Sequence, residues 1–238
     1  MNYGTSDQVH VTVEIPPLDE RVEAKLKAYS EILARWSSDK VRLTGPKDED
    51  TIWKDHVRDS LFALELLPKT GRLVDVGTGG GLPGLAWAIC RPDLEITLLD
   101  SQSKKTGALE SIVSELEVEN VSVIWGRSEQ LALEEREVYD LAAARGVSEV
   151  GIVAEYLSPL VKVGGTALSI KGPGYREELA KIKGQWDLLG LDYPKIFDYS
   201  NGERQGFLLT FRKKSHCPEV YPRRPGKAEK KPWWEAKR

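Results

Sequence analysis

The run Asp75-Val76-Gly77-Thr78-Gly79-Gly80-Gly81-Leu82-Pro83-Gly84 carries the strongest chemical signal in the chain, and it continues directly from the strand-like Leu73-Val74-Asp75-Val76. Glycines at this density let a backbone turn sharply out of a strand and approach a ligand where a Cβ would collide. Pro83 suits the first turn of a following helix, where its missing N–H costs nothing, and the free N–H groups of such a turn can bond a polar or anionic group. Asp100 closes the next strand-like run about 20 residues on, the spacing at which a carboxylate meets two ribose hydroxyls. Asp75, two positions before the first glycine, is placed either to meet the positive end of a methionine-type ligand or to order the loop. Asp75, Gly77, Gly79, Gly81 and Asp100 thus outline a nucleoside site. Dinucleotide oxidoreductases share the glycine turn, so the turn alone does not choose a reaction.

A turn of this kind works only where strands and helices hold it at one end of a sheet. Further strand-like runs lie at Ile96 to Leu99, Val121 to Trp125, Asp140 to Ala144, Thr166 to Ile170 and Phe207 to Phe211. Helix-length segments separate most of them, Ser103 to Leu116 and Val150 to Leu160 being the clearest. This alternation predicts parallel strands with helices on both faces. The rhythm then changes: a strand near Lys195-Ile196-Phe197 and the one at Phe207 flank Asn201-Gly202, which reads as an antiparallel hairpin. Before the glycines, Leu18, Val22, Leu26, Tyr29, Leu33 and Trp36 recur at helical steps. Asp50 or Thr51 can cap a second helix with the stripe Trp53, Val57, Leu61 and Leu64. The boundaries expected are a helical extension over 1–70, an α/β body over 71–214 and a tail over 215–238.

Length and charge narrow the class. A chain of 238 residues suits one sizeable α/β domain with an appendage. No apolar run approaches the roughly 20 residues of a membrane span. Met1 to Glu14 lacks the basic-then-apolar order of a secretory signal. Cys90 and Cys217 stand far apart with no ligand residues beside them, so a reducing cytosol is expected and a zinc site is not. Net charge is −3, yet Arg212 to Arg238 holds ten basic and three acidic side chains, a local +7. That asymmetry points either to an anionic partner met by one region or to a solvated tail. The stretch after His216, rich in Lys, Arg and Pro, is expected to be extended or disordered when free. Within it Trp233-Trp234 has no core to join, whereas Trp36, Trp53, Trp87, Trp125 and Trp186 read as core residues.

Taken together these residues resemble the glucose-inhibited-division protein B family, bacterial methyltransferases that form 7-methylguanosine in 16S ribosomal RNA. The resemblance runs from about Leu18 to Trp233. It rests on Lys54-Asp55-His56-Val57-Arg58-Asp59-Ser60, the glycine block, Leu99-Asp100-Ser101, Gly126-Arg127-Ser128-Glu129, Ala144-Arg145, Ile170-Lys171-Gly172 and Tyr221-Pro222-Arg223-Arg224-Pro225-Gly226. Two places depart from the family pattern: Arg42 replaces its usual Asn, and Gln205-Gly206 replaces its usual His-Leu. The resemblance implies a class I, Rossmann-like methyltransferase with a mostly parallel seven-stranded sheet, a C-terminal antiparallel hairpin and N-terminal helices. It implies S-adenosylmethionine as cofactor, held by Gly77, Leu82, Asp100, Ser101, Ser128, Glu129 and Arg145. The partner it implies is 16S ribosomal RNA or the small ribosomal subunit, met by a cytoplasmic monomer with no metal and no membrane.

Guanine N7 carries an in-plane lone pair and no proton, so its methylation needs positioning and no general base. His56, Asp59 and Ser60 share an arc of about 100° on the second helix, from which they either contact the target base or brace the glycine loop. Arg145 ends the fourth strand at the carboxyl edge, placed to pair with the methionine carboxylate or with guanine O6, or to form a structural ion pair. Arg145, His56 and Asp59 are therefore the catalytic candidates. Lys171 on the same edge, with Arg223, Arg224, Lys227, Lys230 and Lys231 of the tail, are the candidates for RNA contact. Competing readings are a methyltransferase of another RNA position or of a small molecule, and a nicotinamide-dependent oxidoreductase, which Asp75 and the hairpin disfavour.

Overall fold

A computed structural model of the protein describes residues 11–39, 41–45, 48–202 and 204–235. Among these the strands are β1 (Val11–Thr12), β2 (Gly71–Val76), β3 (Leu94–Asp100), β4 (Val121–Trp125), β5 (Tyr139–Arg145), β6 (Val161–Lys171), β7 (Lys195–Asn201) and β8 (Arg204–Arg212). Seven match the runs read from the sequence. The eighth, β1, is two residues long and too short to show a period. The chain divides into two compact units, one continuous (Glu14–Gly126) and one discontinuous (Met1–Val13 with Arg127–Arg238).

In the continuous unit β2, β3 and β4 pair in parallel, with Asp75 opposite Leu98 and Asp100 opposite Trp125. The helix Glu20–Asp39 buries Leu26, Tyr29, Ile32 and Leu33 on one face. It begins where the Asp19 carboxylate accepts the Arg21 N–H at 2.8 Å. The second helical segment differs from expectation twice. Its cap is Asp48, whose carboxylate accepts the Thr51 N–H, because that side chain reaches the orphan donor from outside the helix. Its body is also not one α-helix: a turn at Glu49–Ile52 widens to a π-turn at Trp53–Val57 and, after Arg58–Ser60, tightens to a 3-10 turn at Leu61–Leu66. Val57, Leu61 and Leu64 are still buried, as the stripe predicts.

In the discontinuous unit β5 and β6 are parallel, β6 and β8 antiparallel, and β7 and β8 form the expected hairpin around Asn201-Gly202. β1 adds to β7 in parallel, Val11 opposite Phe197. Gly206, one of the departures from the family pattern, faces Tyr199 across the hairpin. A Cβ there would overlap the Tyr199 ring, so the glycine makes room for the tyrosine.

The tail corrects the expectation of a disordered segment. Trp233 is 1% exposed, donates its indole N–H to the Gly151 carbonyl at 2.8 Å and meets Trp186 edge-on at 5.8 Å. Trp234 is buried against Gly151, where any Cβ would collide with its ring. Arg223 forms a two-pronged pair with the buried Glu155 and also donates to the Lys231 carbonyl. Two buried indoles and one paired guanidinium anchor the tail, while Arg224, Lys227, Lys230 and Lys231 stay in solvent.

The start of the tail is fastened by a second cluster. Lys213 is fully buried, bonds the Ser158 carbonyl and pairs with Glu137 at 2.9 Å. Burial pushes the Lys213 ammonium below its ordinary range. Burial also works against the Glu137 carboxylate, but the Cys217 N–H, His216 and Lys213 together hold it below the usual glutamate value of 4.5. A carboxylate lowered in this way contributes stability that is complete above pH 4.5 and fades as the pH falls through the lower folded value. Thermal melting from about pH 6 to about pH 3 should therefore show a falling Tm that Glu137→Gln, already less stable at neutral pH, makes shallower. Parallel curves for the two proteins would remove Glu137 from this role.

Candidate functional site

The glycine turn is held in shape from three sides within the continuous unit. Gly77 and Thr78 donate their N–H groups to the Leu99 carbonyl at 2.8 and 3.0 Å, tying the turn to the end of β3. Asp75, buried on β2, accepts the Thr78 hydroxyl at 2.6 Å and the Gly84 N–H at 2.9 Å through one carboxylate oxygen. Both contacts order the loop, one of the two roles open to Asp75. Tyr29 of the first helix donates to the Gly80 carbonyl at 2.6 Å from the other side. Its ring stands where a Cβ of Gly81 (φ +95°) would meet the phenol oxygen at 2.8 Å. Pro83 precedes the helix Gly84–Cys90 as its cap, one position earlier than the first-turn place expected for it.

Asp100 is 5% exposed at the end of β3. One of its oxygens accepts the Gly79 N–H and the other the Gln102 N–H, both at 2.9 Å. Each carboxylate oxygen has two acceptor directions, so one remains on each, the pair that a vicinal diol requires. A Cβ built on Gly79 would meet only the Leu43 carbonyl, at 3.7 Å, so the backbone there is open to a ligand. The turn and this carboxylate fit the ribose of an adenosyl group. Ser101, next in the chain, is exposed.

His56 and Asp59 are half-buried on the broken helical segment. Ser60 beside them is buried, its hydroxyl bonded to the His56 carbonyl and its own carbonyl accepting the Trp87 indole N–H at 2.8 Å. Trp87 lies on the helix that leaves the glycine turn, so the backbone at Ser60 is tied to that helix. Sequence reading missed Tyr29 as part of this site, because its place in an apolar stripe hides its hydroxyl. The signal was available: a buried tyrosine must find its O–H an acceptor.

In the discontinuous unit Ser128 and Glu129 are buried at the start of the helix Ser128–Glu134, with the serine hydroxyl 3.3 Å from the Glu129 carboxylate. Arg145 is the last residue of β5 and half-buried. Lys171, expected at a phosphate, pairs with Glu178 at 2.8 Å and donates to the Ser148 carbonyl. Glu178 also accepts the Val150 N–H, so Lys171 fastens the loops after β5 and β6. Arg223 is likewise occupied by Glu155, a short reach that removes it from the exposed basic set. Arg224, Lys227, Lys230 and Lys231 remain exposed. Among the described residues no helix is long and apolar enough to cross a membrane, and no group of His, Cys, Asp and Glu is arranged to hold a metal ion.

Parallel βα units, a glycine turn closed by an acidic residue at the end of the next strand, and a terminal antiparallel hairpin define an S-adenosylmethionine-dependent methyltransferase of class I. A 16S rRNA (adenine(1408)-N(1))-methyltransferase of Catenulisporales acidiphilia, solved with S-adenosylmethionine, shares the fold with a TM-score of 0.51 over 62% of this chain and 87% of that one, at 14% identity. The chain belongs to the family of rRNA small subunit methyltransferase G, whose model matches residues 22–205. It is similar to the Ribosomal RNA small subunit methyltransferase G of Moorella thermoacetica, 38% identical over 88% of this chain and 89% of that protein. The protein of the same name from Alkaliphilus metalliredigens is 35% identical over 90% and 92%.

Proposed function

We propose that the protein transfers a methyl group from S-adenosylmethionine to N7 of a guanine in 16S ribosomal RNA. The observation that carries the reading is the Asp100 carboxylate, which shapes the glycine turn and keeps an acceptor on each oxygen for a diol. When bound, the cofactor supplies an electrophilic methyl group. Asp100 and the backbone at Gly77, Gly79 and Gly81 hold its adenosyl part, with Leu82 and Ser101 beside them. Asp75 serves by keeping the turn in shape. Ser128, Glu129 and Arg145 are assigned to the same cofactor on the family's pattern, and Arg145 also suits guanine O6. N7 has no proton to lose, so His56 and Asp59 orient the base and abstract nothing. Arg224, Lys227, Lys230 and Lys231 supply cations for RNA phosphates, and the reading keeps a helical extension over 1–70, a methyltransferase domain over 71–214 and a basic tail over 215–238. The setting is a cytoplasmic monomer acting without a metal.

Mass mapping of 16S RNA from cells with and without the protein tests this reading. A guanine 14 Da heavier only where the protein is present is the expected result, methylation being a gain of about one CH₂ unit. Identical maps would overturn it. On the cofactor side, Asp100→Ala should weaken S-adenosylhomocysteine binding by about 10- to 150-fold, the loss of a charged acceptor being about 1.5–3 kcal/mol. Calorimetry that finds the parental affinity in this variant would remove Asp100 from the site.

A further inference from the structure

Trp125 was expected in the core and is instead the one exposed tryptophan among the described residues, at 68%. The reason is its place: β4 is an edge strand paired with β3, none of its residues is buried, and Trp125 is its last. Its orientation is set all the same. The indole N–H donates to the Ser101 carbonyl at 3.1 Å, and the parallel register puts Trp125 opposite Asp100, at the end of the strands where the glycine turn lies. An indole left in water forgoes the burial that Trp87, Trp186 and Trp233 obtain, and it is fixed by its polar edge with its faces open.

We infer that Trp125 is a stacking platform for an unpaired base of the substrate RNA, flanking the residues that hold the cofactor. The inference rests on the reading that the substrate is RNA. Three observations favour an RNA base over the adenine of the cofactor. Small-ligand pockets enclose most of their ligand, and Asp75 and Asp100 are buried accordingly, whereas Trp125 is not. The ring's anchor Ser101 opens an exposed polar run, Ser101, Gln102, Ser103 and Lys104, that ends in a cation three positions on, and single strands bind aromatic faces in cationic surroundings. On its other flank β4 borders a groove lined by Glu110, Glu117 and Glu119, which repels phosphates, so the strand approaches over the carboxyl end where Trp125 stands.

The test compares the full-length parent with Trp125→Ala and Trp125→Phe. The probe is small ribosomal subunits, or deproteinised 16S RNA, from cells lacking the enzyme, whichever the parent methylates. Stacking losses per base correspond to about 5- to 150-fold in affinity. Trp125→Ala should raise KM for RNA by that factor, with kcat and S-adenosylhomocysteine affinity within about twofold of the parent, and Trp125→Phe should recover most of the loss. An unchanged KM, or a KM not rescued by phenylalanine, overturns the inference. Weakened S-adenosylhomocysteine binding with KM for RNA unchanged also overturns it, assigning the ring to the cofactor. A parent that methylates neither probe would instead count against the function proposed above.

Discussion

A 16S RNA transcript made with 7-deazaguanosine triphosphate should accept no methyl group from this enzyme, while the same transcript made with guanosine triphosphate accepts one. Replacing N7 by C–H removes the in-plane lone pair and leaves the Watson–Crick edge intact, so pairing and fold of the RNA are largely kept. In the transfer a bond forms between N7 and the methyl carbon as the carbon–sulfur bond breaks, and no proton leaves the base. Nothing else on the ring can take over this role, so the expected change is complete loss. Incorporation of label from S-adenosylmethionine, followed by nucleoside digestion, reads the outcome. Normal turnover on the deaza transcript would refute N7 and turn attention to an exocyclic or ribose acceptor. Such an acceptor has a proton to shed, and His56 or Asp59 would then have to be asked for base chemistry.

The second large effect concerns stability. Trp233→Ala should cost about 3–5 kcal/mol, the range for removing a buried aromatic side chain. Domains of this kind are stable by only about 5–15 kcal/mol, so the urea midpoint should fall by about a fifth or more. The loss includes the indole's packing on Trp186 and the hydrogen bond to the Gly151 carbonyl. Gly151→Ala attacks the same contact from the other side, because its methyl group would overlap the Trp234 ring. An overpacked site of this sort typically loses about 1–3 kcal/mol. If Trp233→Ala left the midpoint unchanged, the tail would not be part of the folded unit. A truncation after Lys214 is accordingly no clean test of RNA contact, since it uncovers Trp186 along with removing charge.

How much of this was legible beforehand depends on how local each cause is. The glycine turn with Asp100, the parallel strands and the hairpin at Asn201-Gly202 follow from short-range pattern, and all are present. β1 escaped because two residues carry no period and its partner β7 is distant in sequence. Trp125 was misplaced for a related reason: alternation along a strand says which residues share a face, and only the topology says whether anything covers that face. The tail misled through composition. Its lysines and prolines suggest solvation, yet Glu155, Gly151 and Trp186, far away in sequence, supply the counter-charge and the socket. Lys171 and Arg223 stood among the candidates for RNA contact because their partners Glu178 and Glu155 are invisible to a count of charge.

The discontinuous unit has a consequence for synthesis. Glu14–Gly126 is an unbroken stretch of chain, and its three paired strands and glycine turn can form as soon as they have emerged. The other unit joins residues far apart in the chain: Thr12 bonds Asp198 across 186 positions, and Trp233 and Trp234 seat on Gly151, made 82 positions before Trp233. Contacts this distant in sequence are slow to form and leave apolar surface uncovered meanwhile. Folding during translation is therefore ordered, with the unit carrying Asp100 able to mature before the unit carrying Arg145, whose packing waits for Trp233 and Trp234 to emerge.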